Sequence, residues 1–172
     1  LEDLRREGNI RYWGASIQRL EDGRFLIEER GAQVLQVLYN ILDRAAEEEL
    51  FPLAETHGVG IICRVPLSSG LLTGKFTEDT TFPEDDNRSR NPMFQGERFK
   101  KIAATVRGLG PIAEKYSLTI PQLVLAVTLA HPAVHCTIVG IKSPQQIEDA
   151  AGAMGKCIER EDYFAIRNAL SL

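Results

Sequence analysis

Short apolar runs alternate along this chain with longer stretches in which apolar residues recur every three or four positions. Continuous apolar runs bounded by Gly or Pro are typical of buried parallel strands, whereas the longer spacing predicts amphipathic helices. The predicted strands cover residues 10–16, 34–39, 59–63 and 134–141. The predicted helices cover residues 20–30, 44–57, 97–116, 121–130, 145–154 and 160–170, with a kink at Pro52 and a break near Gly108.

This order of elements predicts a parallel α/β sheet whose strands are joined by crossover helices. Such a sheet is either open and doubly wound or part of a barrel. No predicted strand is followed by the G-x-G-x-x-G pattern of dinucleotide-binding doubly wound folds, which favours the barrel. A (β/α)8 barrel of the TIM type has eight β/α units, so the chain would supply half of one.

The two ends of the chain and its longest irregular stretch refine this prediction. The chain begins without Met, and a charged, helix-forming stretch precedes a Gly8-Asn9 stop signal, which indicates a segment of a longer protein. Residues 76–95 show no periodicity, and loops of this length are usually functional or disordered. Arg88 and Arg90 in this loop are expected to be solvated.

Composition and charge exclude several classes of function. The chain has 20 Lys and Arg against 24 Asp and Glu, and no basic cluster indicates a nucleic-acid partner. No apolar run approaches the roughly 18 residues of a membrane helix, and the charged start does not resemble a signal peptide, so a cytoplasmic protein is expected. Cys63, Cys136 and Cys157 are too widely spaced to indicate disulfides or zinc, and we expect them to pack as small apolar residues.

Two segments carry candidate chemistry at strand ends. A Ser/Gly-rich turn follows the strand at 59–63 and closes on Lys75, so its backbone amides and the lysine could bind a phosphate; the alternative is a simple connection with a solvated lysine. The strand at 134–141 leads through Gly140, Lys142 and Ser143 into a helix start. Such a start is a natural anion site, although capped helices also occur where nothing binds.

Four segments, in order, resemble the C-terminal half of an aldo-keto reductase. IRYWGAS resembles the strand of that family that ends in Gly-x-Ser, and LQVLYNILDR resembles its Gln-x-x-Tyr-Asn strand. GIICRVPLSSGLLTGKF resembles its Pro-Leu-x-x-Gly-Leu-Leu-Thr-Gly-Lys segment, and TIVGIKSPQQIEDAAGA resembles its closing cofactor segment. The resemblance covers residues 1–172 and implies the last four β/α units of the barrel, with the loop at 76–95 and a C-terminal helix.

The resemblance implies an NADP(H)-dependent enzyme that, as an intact protein, reduces aldehydes or ketones by hydride transfer. Ser16 and Gln36 would then hold the nicotinamide carboxamide, although Gln36 could instead bond to neighbouring backbone. The pyrophosphate would lie along Pro66, Leu67, Ser69, Gly70 and Lys75, and the adenosine 2′-phosphate and adenine would lie against Gly140, Lys142, Ser143, Gln146 and Asp149.

Three positions depart from the family pattern. Ile17 stands where Asn is common, Ala150 replaces an Asn that often contacts adenine, and Arg64 replaces an aromatic residue that stacks on the nicotinamide. A guanidinium can also stack on a planar ring, so Arg64 stays among the expected cofactor-binding residues.

The Asp/Tyr/Lys/His catalytic set of the family lies in the half of the barrel that this sequence does not include. We therefore name no catalytic residue and no metal ligand, and expect this segment alone to be inactive. Two alternatives stay open: a non-catalytic NADP-binding regulatory subunit, like channel-associated members of the family, or an inactive half-barrel. A half-barrel exposes two sheet edges and an inner face, which predicts self-association.

Overall fold

A computed structural model describes residues 1–171 and contains a four-stranded parallel sheet. The strands are β1 (Gly14–Ser16), β2 (Val34–Leu38), β3 (Gly60–Arg64) and β4 (Cys136–Ile138). Each strand pairs in parallel with the next one along the chain, in the order β1-β2-β3-β4. A doubly wound sheet reverses its strand order at a switch point, whereas a barrel adds each strand beside the last. The observed order is that of a barrel.

Eight α-helices accompany the strands within the described residues. They are α1 (Glu2–Arg6), α2 (Leu20–Glu28), α3 (Leu50–Thr56), α4 (Gly96–Arg107), α5 (Gly110–Lys115), α6 (Ile120–Leu129), α7 (Pro144–Ala151) and α8 (Arg160–Ala169). The break expected near Gly108 is confirmed, because it separates α4 from α5. None of these helices is both long and apolar enough to cross a membrane.

The predictions for residues 44–57 and for two of the three cysteines are wrong. The helix predicted from residue 44 begins only at Leu50, after a short 3-10 turn at Ala45–Glu47. Pro52 therefore lies in the first turn of α3, where its missing N–H has no helical partner to lose, and no kink is needed.

Cys63 is fully buried, and burial raises the pKa of its thiol to about 12, but Cys136 and Cys157 are exposed and do not pack as core residues.

Side chains on alternate strand positions face two different environments. Leu35, Val37, Ile61 and Cys63 are fully buried against α2 and α3, in one of two apolar cores. The second core joins α4, α5, α6 and α8 to the turn after β3. The opposite positions of the strands form the inner face of the sheet, where Ile138 is 44% exposed. Within residues 1–171, β1 and β4 each have one neighbouring strand only.

The long loop at 76–95 is held by a cluster of aromatic rings. Phe76, Phe82 and Phe94 pack edge to face, with ring centroids 5.3–6.0 Å apart. Arg88 stacks on Phe82 at 4.7 Å and pairs with Asp86, whose pKa falls to about 2, mainly through hydrogen bonds from Arg88. The expectation of a solvated Arg88 is wrong, because the guanidinium finds both an aromatic face and a carboxylate. Arg90 is exposed, as expected.

Helix α8 is joined to the end of β2 by a polar network that we call the Arg167 network. Arg167 pairs with Glu47 at 2.5 Å and donates to the Tyr39 hydroxyl at 3.2 Å, and that hydroxyl donates to Glu47 at 2.6 Å. Burial raises the pKa of Glu47, but the hydrogen bonds from Arg167 and Tyr39 outweigh it and lower the pKa overall. His131 packs on the Tyr39 ring at 5.8 Å.

Acidification is expected to weaken the fold through His131. Its Nδ1 accepts a hydrogen bond from the amide of Ala133 at 3.2 Å, which requires the neutral ring. Burial lowers the pKa of His131 below its ordinary value of 6.5, with Arg167 adding to the effect against the opposing pull of Glu47. The unfolded chain then binds more protons than the folded one, so stability falls as the pH drops through about 6.5.

Urea unfolding between pH 8 and pH 5 measures this effect. We expect His131→Gln to flatten the dependence between pH 7 and pH 5, whereas His57→Gln, at an exposed position, serves as the matched control and leaves it unchanged. An unchanged slope in the His131 variant would contradict the prediction.

Candidate functional site

The residues predicted to bind a cofactor lie on the inner face of the sheet or in the loops that follow its strands. Ser16 ends β1, Gln36 lies in β2 and Arg64 ends β3. The segments 66–75 and 140–149 follow β3 and β4. In α/β barrels, ligands bind at the carboxyl ends of the strands, where these segments converge.

Ser16 and Gln36 form a hydrogen-bonded pair on the inner face. The two residues are register partners in β1 and β2, and the Ser16 hydroxyl donates to Gln36 Oε1 at 3.0 Å. The side chain of Gln36 therefore bonds to a neighbouring side chain rather than to backbone, and its amide nitrogen has no partner among residues 1–171. A primary amide ligand would find both a donor and an acceptor here.

Ile17 cannot complete this pair with its side chain. That side chain is buried in the core formed with α2 and α3 and is only 4% exposed. Its backbone carbonyl instead accepts a hydrogen bond from Arg64 Nη2 at 3.2 Å. Position 17 therefore contributes backbone only to the inner face.

Arg64 extends from the end of β3 towards the end of β1. Besides Ile17 O, its Nη2 approaches Gln18 Oε1 at 3.4 Å, while its Nε is buried without a hydrogen-bond partner. No described carboxylate lies within salt-bridge distance of this guanidinium, although nine such pairs occur elsewhere in residues 1–171. Within residues 1–171, the Arg64 guanidinium thus donates hydrogen bonds to neutral oxygens only.

The turn after β3 has an unusually strained backbone. Val65, Ser68 and Ser69 have φ values of 59°, 46° and 53°, and Gly70 has 91°. Positive φ is costly for a β-branched residue such as Val65, and strain of this kind clusters at ligand-binding sites. The surrounding structure must therefore hold the turn in place.

Asn40 holds this turn; it lies in the segment that resembles the Gln-x-x-Tyr-Asn strand of the family, but no role was predicted for it from the sequence. It is buried, its Nδ2 donates to the carbonyl of Val65 at 3.1 Å, and its Oδ1 accepts from the amides of Leu42 and Asp43 at 2.9 and 3.0 Å. All of these bonds depend on one side chain directly after β2. A polar residue at the end of a buried strand was the signal that could have identified it.

Lys75 and Gly70 lie together at the far side of the turn. The Lys75 ammonium is 4.9 Å from the centre of the Phe76 ring and has no ion-pair partner among the described residues. A Cβ added at Gly70 would stand 3.2 Å from Lys75 Nζ, so the absence of a side chain at Gly70 leaves room beside the ammonium. Ser69 is exposed, whereas Pro66 is buried and Leu67 packs on the core, so these two position the turn.

The segment after β4 forms a capped helix start. Ser143 Oγ accepts from the amide of Gln146 at 3.3 Å, and Gln146 Oε1 accepts from the amide of Lys142 at 2.7 Å. The exposed Lys142 ammonium has no ion-pair partner in residues 1–171, and Gly140 has open space around it. Asp149 lies farther along α7, where its carboxylate accepts from Gln145 at 3.3 Å. Ser143 and Gln146 thus shape the turn, and the Lys142 ammonium remains available to bind an anion.

A wide cleft does not coincide with these residues. It has a volume of about 860 Å³ and lies between the segment after β2, the long loop and α8, and among the predicted residues only Ser69 lines it. A smaller hollow of about 320 Å³ on the inner face includes Ser16 and Gln36. The chemistry of the paired amide and hydroxyl, rather than cavity size, points to the inner face.

Three of the four tyrosines have raised pKa values. Burial raises the pKa of Tyr39, with the Glu47 carboxylate adding to the effect, and burial also raises the pKa values of Tyr116 and Tyr163. A tyrosine donor in acid catalysis needs a lowered pKa. The geometry supports binding of a ligand, and it assigns none of these three tyrosines to proton transfer.

Comparison with known proteins shows the family of the chain. Residues 1–170 match the model of the Aldo/keto reductase family. The chain is 32% identical over 167 residues to the NADH-specific methylglyoxal reductase of Escherichia coli, covering 97% of this chain and 51% of that protein. It is also 32% identical over 169 residues to a putative voltage-gated potassium channel subunit beta of Schizosaccharomyces pombe, covering 88% of this chain and 47% of that protein.

Solved structures give the same answer for the fold. The glycerol dehydrogenase of Gluconobacter oxydans superposes with a TM-score of 0.88 at 30% identity, over 98% of this chain and 51% of that one. An aldo-keto reductase of Bacillus halodurans, in its holo form, superposes with a TM-score of 0.73 at 26% identity, over 99% and 54%. The predicted TIM-type barrel fold is confirmed, and the chain, which spans about half the length of these relatives, supplies four of its β/α units.

Proposed function

The chain belongs to the aldo/keto reductase family of oxidoreductases, and we propose that it forms the NADP(H)-binding C-terminal half of a barrel that reduces aldehydes or ketones to alcohols. The observation that carries the proposal is the Ser16–Gln36 pair on the inner face, close to two strand-end segments that each present a lysine without an ion-pair partner. NADP(H) combines a primary carboxamide with anionic phosphates, and these are the groups that such residues bind.

Each part of the site is proposed to bind a different part of the cofactor. Ser16 and Gln36 hold the carboxamide through the unused amide nitrogen of Gln36. The turn from Pro66 to Gly70 supports the pyrophosphate, and the Lys75 ammonium lies beside it, 3.2 Å from where a Cβ at Gly70 would stand. The start of α7 takes the 2′-phosphate, because the helix dipole and a lysine converge there. The bound cofactor would supply the hydride, and this chain's residues would fix its orientation.

The residues proposed for the adenosine end are Gly140, Lys142, Ser143, Gln146 and Asp149. Lys142 and Ser143 precede the first turn of α7, and Gly140 allows close approach because no atom fills the space that its Cβ would take. Gln146 closes the turn through the amide of Lys142. A lysine at the place of the 2′-phosphate favours NADPH over NADH, even though one relative is named as NADH-specific.

Lys142→Ala is expected to weaken NADPH binding by about ten- to a hundredfold, because a charge-assisted contact to phosphate is worth about 1.5–3 kcal/mol. NADH lacks the 2′-phosphate, so the substitution should change the dissociation constant of NADH by less than about twofold. Titration of cofactor fluorescence measures both. Lys101→Ala, at an exposed position on α4, is the matched control. An equal loss for the two cofactors would refute the assignment of the 2′-phosphate.

Catalysis is proposed for the intact protein only. Tyr39, Tyr116 and Tyr163 have raised pKa values, which gives no support for a proton donor among these three, and we propose that the donor lies in the other half of the barrel. The full-length protein should oxidise NADPH with a panel of aldehydes and ketones, whereas the 172-residue chain should show no turnover. We propose that the substrate is a small carbonyl compound and that the protein is cytoplasmic. We propose neither a nucleic acid nor a membrane as a partner.

A non-catalytic regulatory subunit is the second candidate. The observation in its favour is the similarity to a putative channel subunit beta, which is as high in identity as that to the methylglyoxal reductase. The two candidates differ in one measurement on the full-length protein. NADPH binding without turnover of any carbonyl in the panel favours the regulatory subunit, and turnover excludes a purely regulatory role.

The isolated chain is proposed to self-associate. Its sheet has two edge strands, and apolar residues such as Ile138 and Tyr12 are exposed on or beside the inner face, at 44% and 72%. Light scattering across a range of concentrations should show a molar mass that rises above that of the 19.1 kDa monomer. A constant monomer mass with cooperative unfolding would contradict this.

A further inference from the structure

The side chain of Asn40 continues the hydrogen bonding between β2 and β3 beyond the ends of both strands. At the end of this pair of strands, the amide of Tyr39 donates to the carbonyl of Arg64 at 3.4 Å. The backbone amide of Asn40 is already engaged, because it donates to the carbonyl of Asp43 at 3.2 Å. Asn40 Nδ2 instead donates to the carbonyl of Val65 at 3.1 Å. A side-chain amide thus takes over from the backbone where the strained turn begins.

The orientation of the Asn40 side chain is fixed by its other partners. Its Oδ1 accepts hydrogen bonds from the backbone amides of Leu42 and Asp43, which can only donate. The nitrogen of the side-chain amide must therefore face the carbonyl of Val65. Asn40 is 2% exposed, and its own carbonyl accepts a bond from the Asp43 amide at 3.1 Å. The donor to Val65 is therefore held in place from the β2 side.

The bond from Asn40 acts on a backbone conformation that Val65 does not favour. Val65 has a φ of 59°, which is costly for a β-branched residue, and its side chain is 37% exposed, so packing does little to hold it. Its carbonyl accepts a second bond, at 3.0 Å, from the amide of Ser68, which has a φ of 46°. Without the Asn40 donor, this one bond must hold two strained residues. We expect the turn then to populate relaxed conformations as well.

A short series of hydrogen bonds links this turn to Lys75. The amide of Gly70 donates to the carbonyl of Leu67 at 2.9 Å, and the hydroxyl of Thr73 donates to the carbonyl of Gly70 at 2.7 Å. The Thr73 hydroxyl also accepts from the amide of Lys75 at 3.5 Å. A turn that relaxes at Val65 therefore loses the arrangement of its backbone relative to the lysine.

We propose that Asn40 is a positioning residue for the dinucleotide: it holds the turn at 65–70 in its binding conformation before the cofactor arrives, and so determines how fast the cofactor binds. This inference rests on the proposed function, because it needs a pyrophosphate that lies along the turn. Asn40 acts through the turn and contacts no cofactor atom. When only a fraction of the molecules has the binding conformation, the association rate constant falls by that fraction, whereas dissociation of the bound cofactor is unchanged.

Asn40→Asp tests the donor alone, because the carboxylate has nearly the same shape and still accepts from the two amides but cannot donate to Val65. Stopped-flow fluorescence of NADPH measures both rate constants with the full-length protein. We expect association to slow about tenfold or more, and the dissociation rate constant to change by less than about twofold. Asn40→Ser, which is uncharged and lacks Nδ2, should show the same pattern and provides the test if Asn40→Asp does not fold.

Asn91→Asp is the matched control for the added charge. Asn91 lines the same cleft as Asn40, and its Oδ1 accepts a hydrogen bond from the amide of Met93 at 2.9 Å, which an aspartate at this position also accepts. The substitution adds the same charge to this cleft without removing a donor to the turn. Both rate constants should stay within about twofold of those of the wild type.

Three results would overturn the inference. Unchanged association in Asn40→Asp and Asn40→Ser would show that the turn keeps its conformation without this donor. Faster dissociation with unchanged association would mean that the substitution weakens the bound complex rather than the free turn. Equal slowing in Asn91→Asp, with none in Asn40→Ser, would assign the effect to charge. Failure of the wild type to bind NADPH would refute the proposed function and the inference with it, and the same experiment shows this separately.

Discussion

Arg167→Met is expected to destabilise the protein by about 3 kcal/mol, because it leaves the buried side of Glu47 without its cation. Glu47 and Arg167 side chains are 21% and 10% exposed, so water replaces the lost partner poorly. The variant also removes a donor from the Tyr39 hydroxyl, and burial already disfavours ionisation of that tyrosine by raising its pKa. Methionine keeps the length of the side chain, so lost packing contributes little.

Urea unfolding of the variant and of a matched control measures this effect. Arg160→Met removes an arginine from the same helix at an exposed position without an ion pair, and should change the free energy of unfolding by no more than about 0.5 kcal/mol. The double variant Arg167→Met/Glu47→Leu should recover much of the loss, since replacing both partners leaves no buried charge. Equal values for Arg167→Met and Arg160→Met would show that the network contributes nothing to stability.

The same network affects the candidate site indirectly. Tyr39 directly precedes Asn40, and Asn40 holds the strained Val65 through its carbonyl. Loosening of the segment after β2 would free a turn whose backbone adopts positive φ only under constraint. Cofactor binding in Arg167→Met should therefore weaken even at temperatures where the protein remains folded.

Gly14→Ala is expected to cost about 3 kcal/mol and to disturb the site, because there is no room for a side chain between β1 and β2. A Cβ at Gly14 would lie 2.0 Å from the backbone carbonyl oxygen of Val34. A backbone atom in a paired strand cannot move without breaking the register that brings Ser16 opposite Gln36. Both stability and cofactor affinity should fall.

Gly60→Ala is the matched control for this substitution. Gly14 and Gly60 are the register partners of the same residue, Val34, on its two sides. A Cβ at Gly60 would meet the Val34 side chain at 3.6 Å, an ordinary contact, so this variant should fold normally. Urea unfolding and a cofactor titration on both variants test the difference, and similar losses in the two would show that the close approach at Gly14 is not the cause.

The sequence pattern located most elements but not their limits. The predicted strand at 10–16 pairs only over Gly14–Ser16, because a strand ends where its neighbour offers no further partner. The helix predicted from residue 44 starts at Leu50, since the glutamates before it join a turn in which Glu47 meets Arg167. The resemblance supplied the site residues, and the structure places them on the inner face and at the strand ends. Whether they bind NADP(H) stays a prediction.

Local sequence properties were sufficient for the class of fold. The spacing of apolar residues and the Gly and Pro residues at element boundaries can each be recognised within a few residues. Together with the repeated β/α order, they predicted four parallel strands, the helices and the barrel. The contacts that shape the site depend on residues far apart in the chain: Asn40 reaches Val65 across 25 positions, and Arg167 reaches Glu47 across 120. Only the packed structure brings such residues together, because their partners are chosen by sheet register and helix docking rather than by neighbouring sequence. For the same reason, the buried Nε of Arg64, which has no hydrogen-bond partner in residues 1–171, could be recognised only once its surroundings were known.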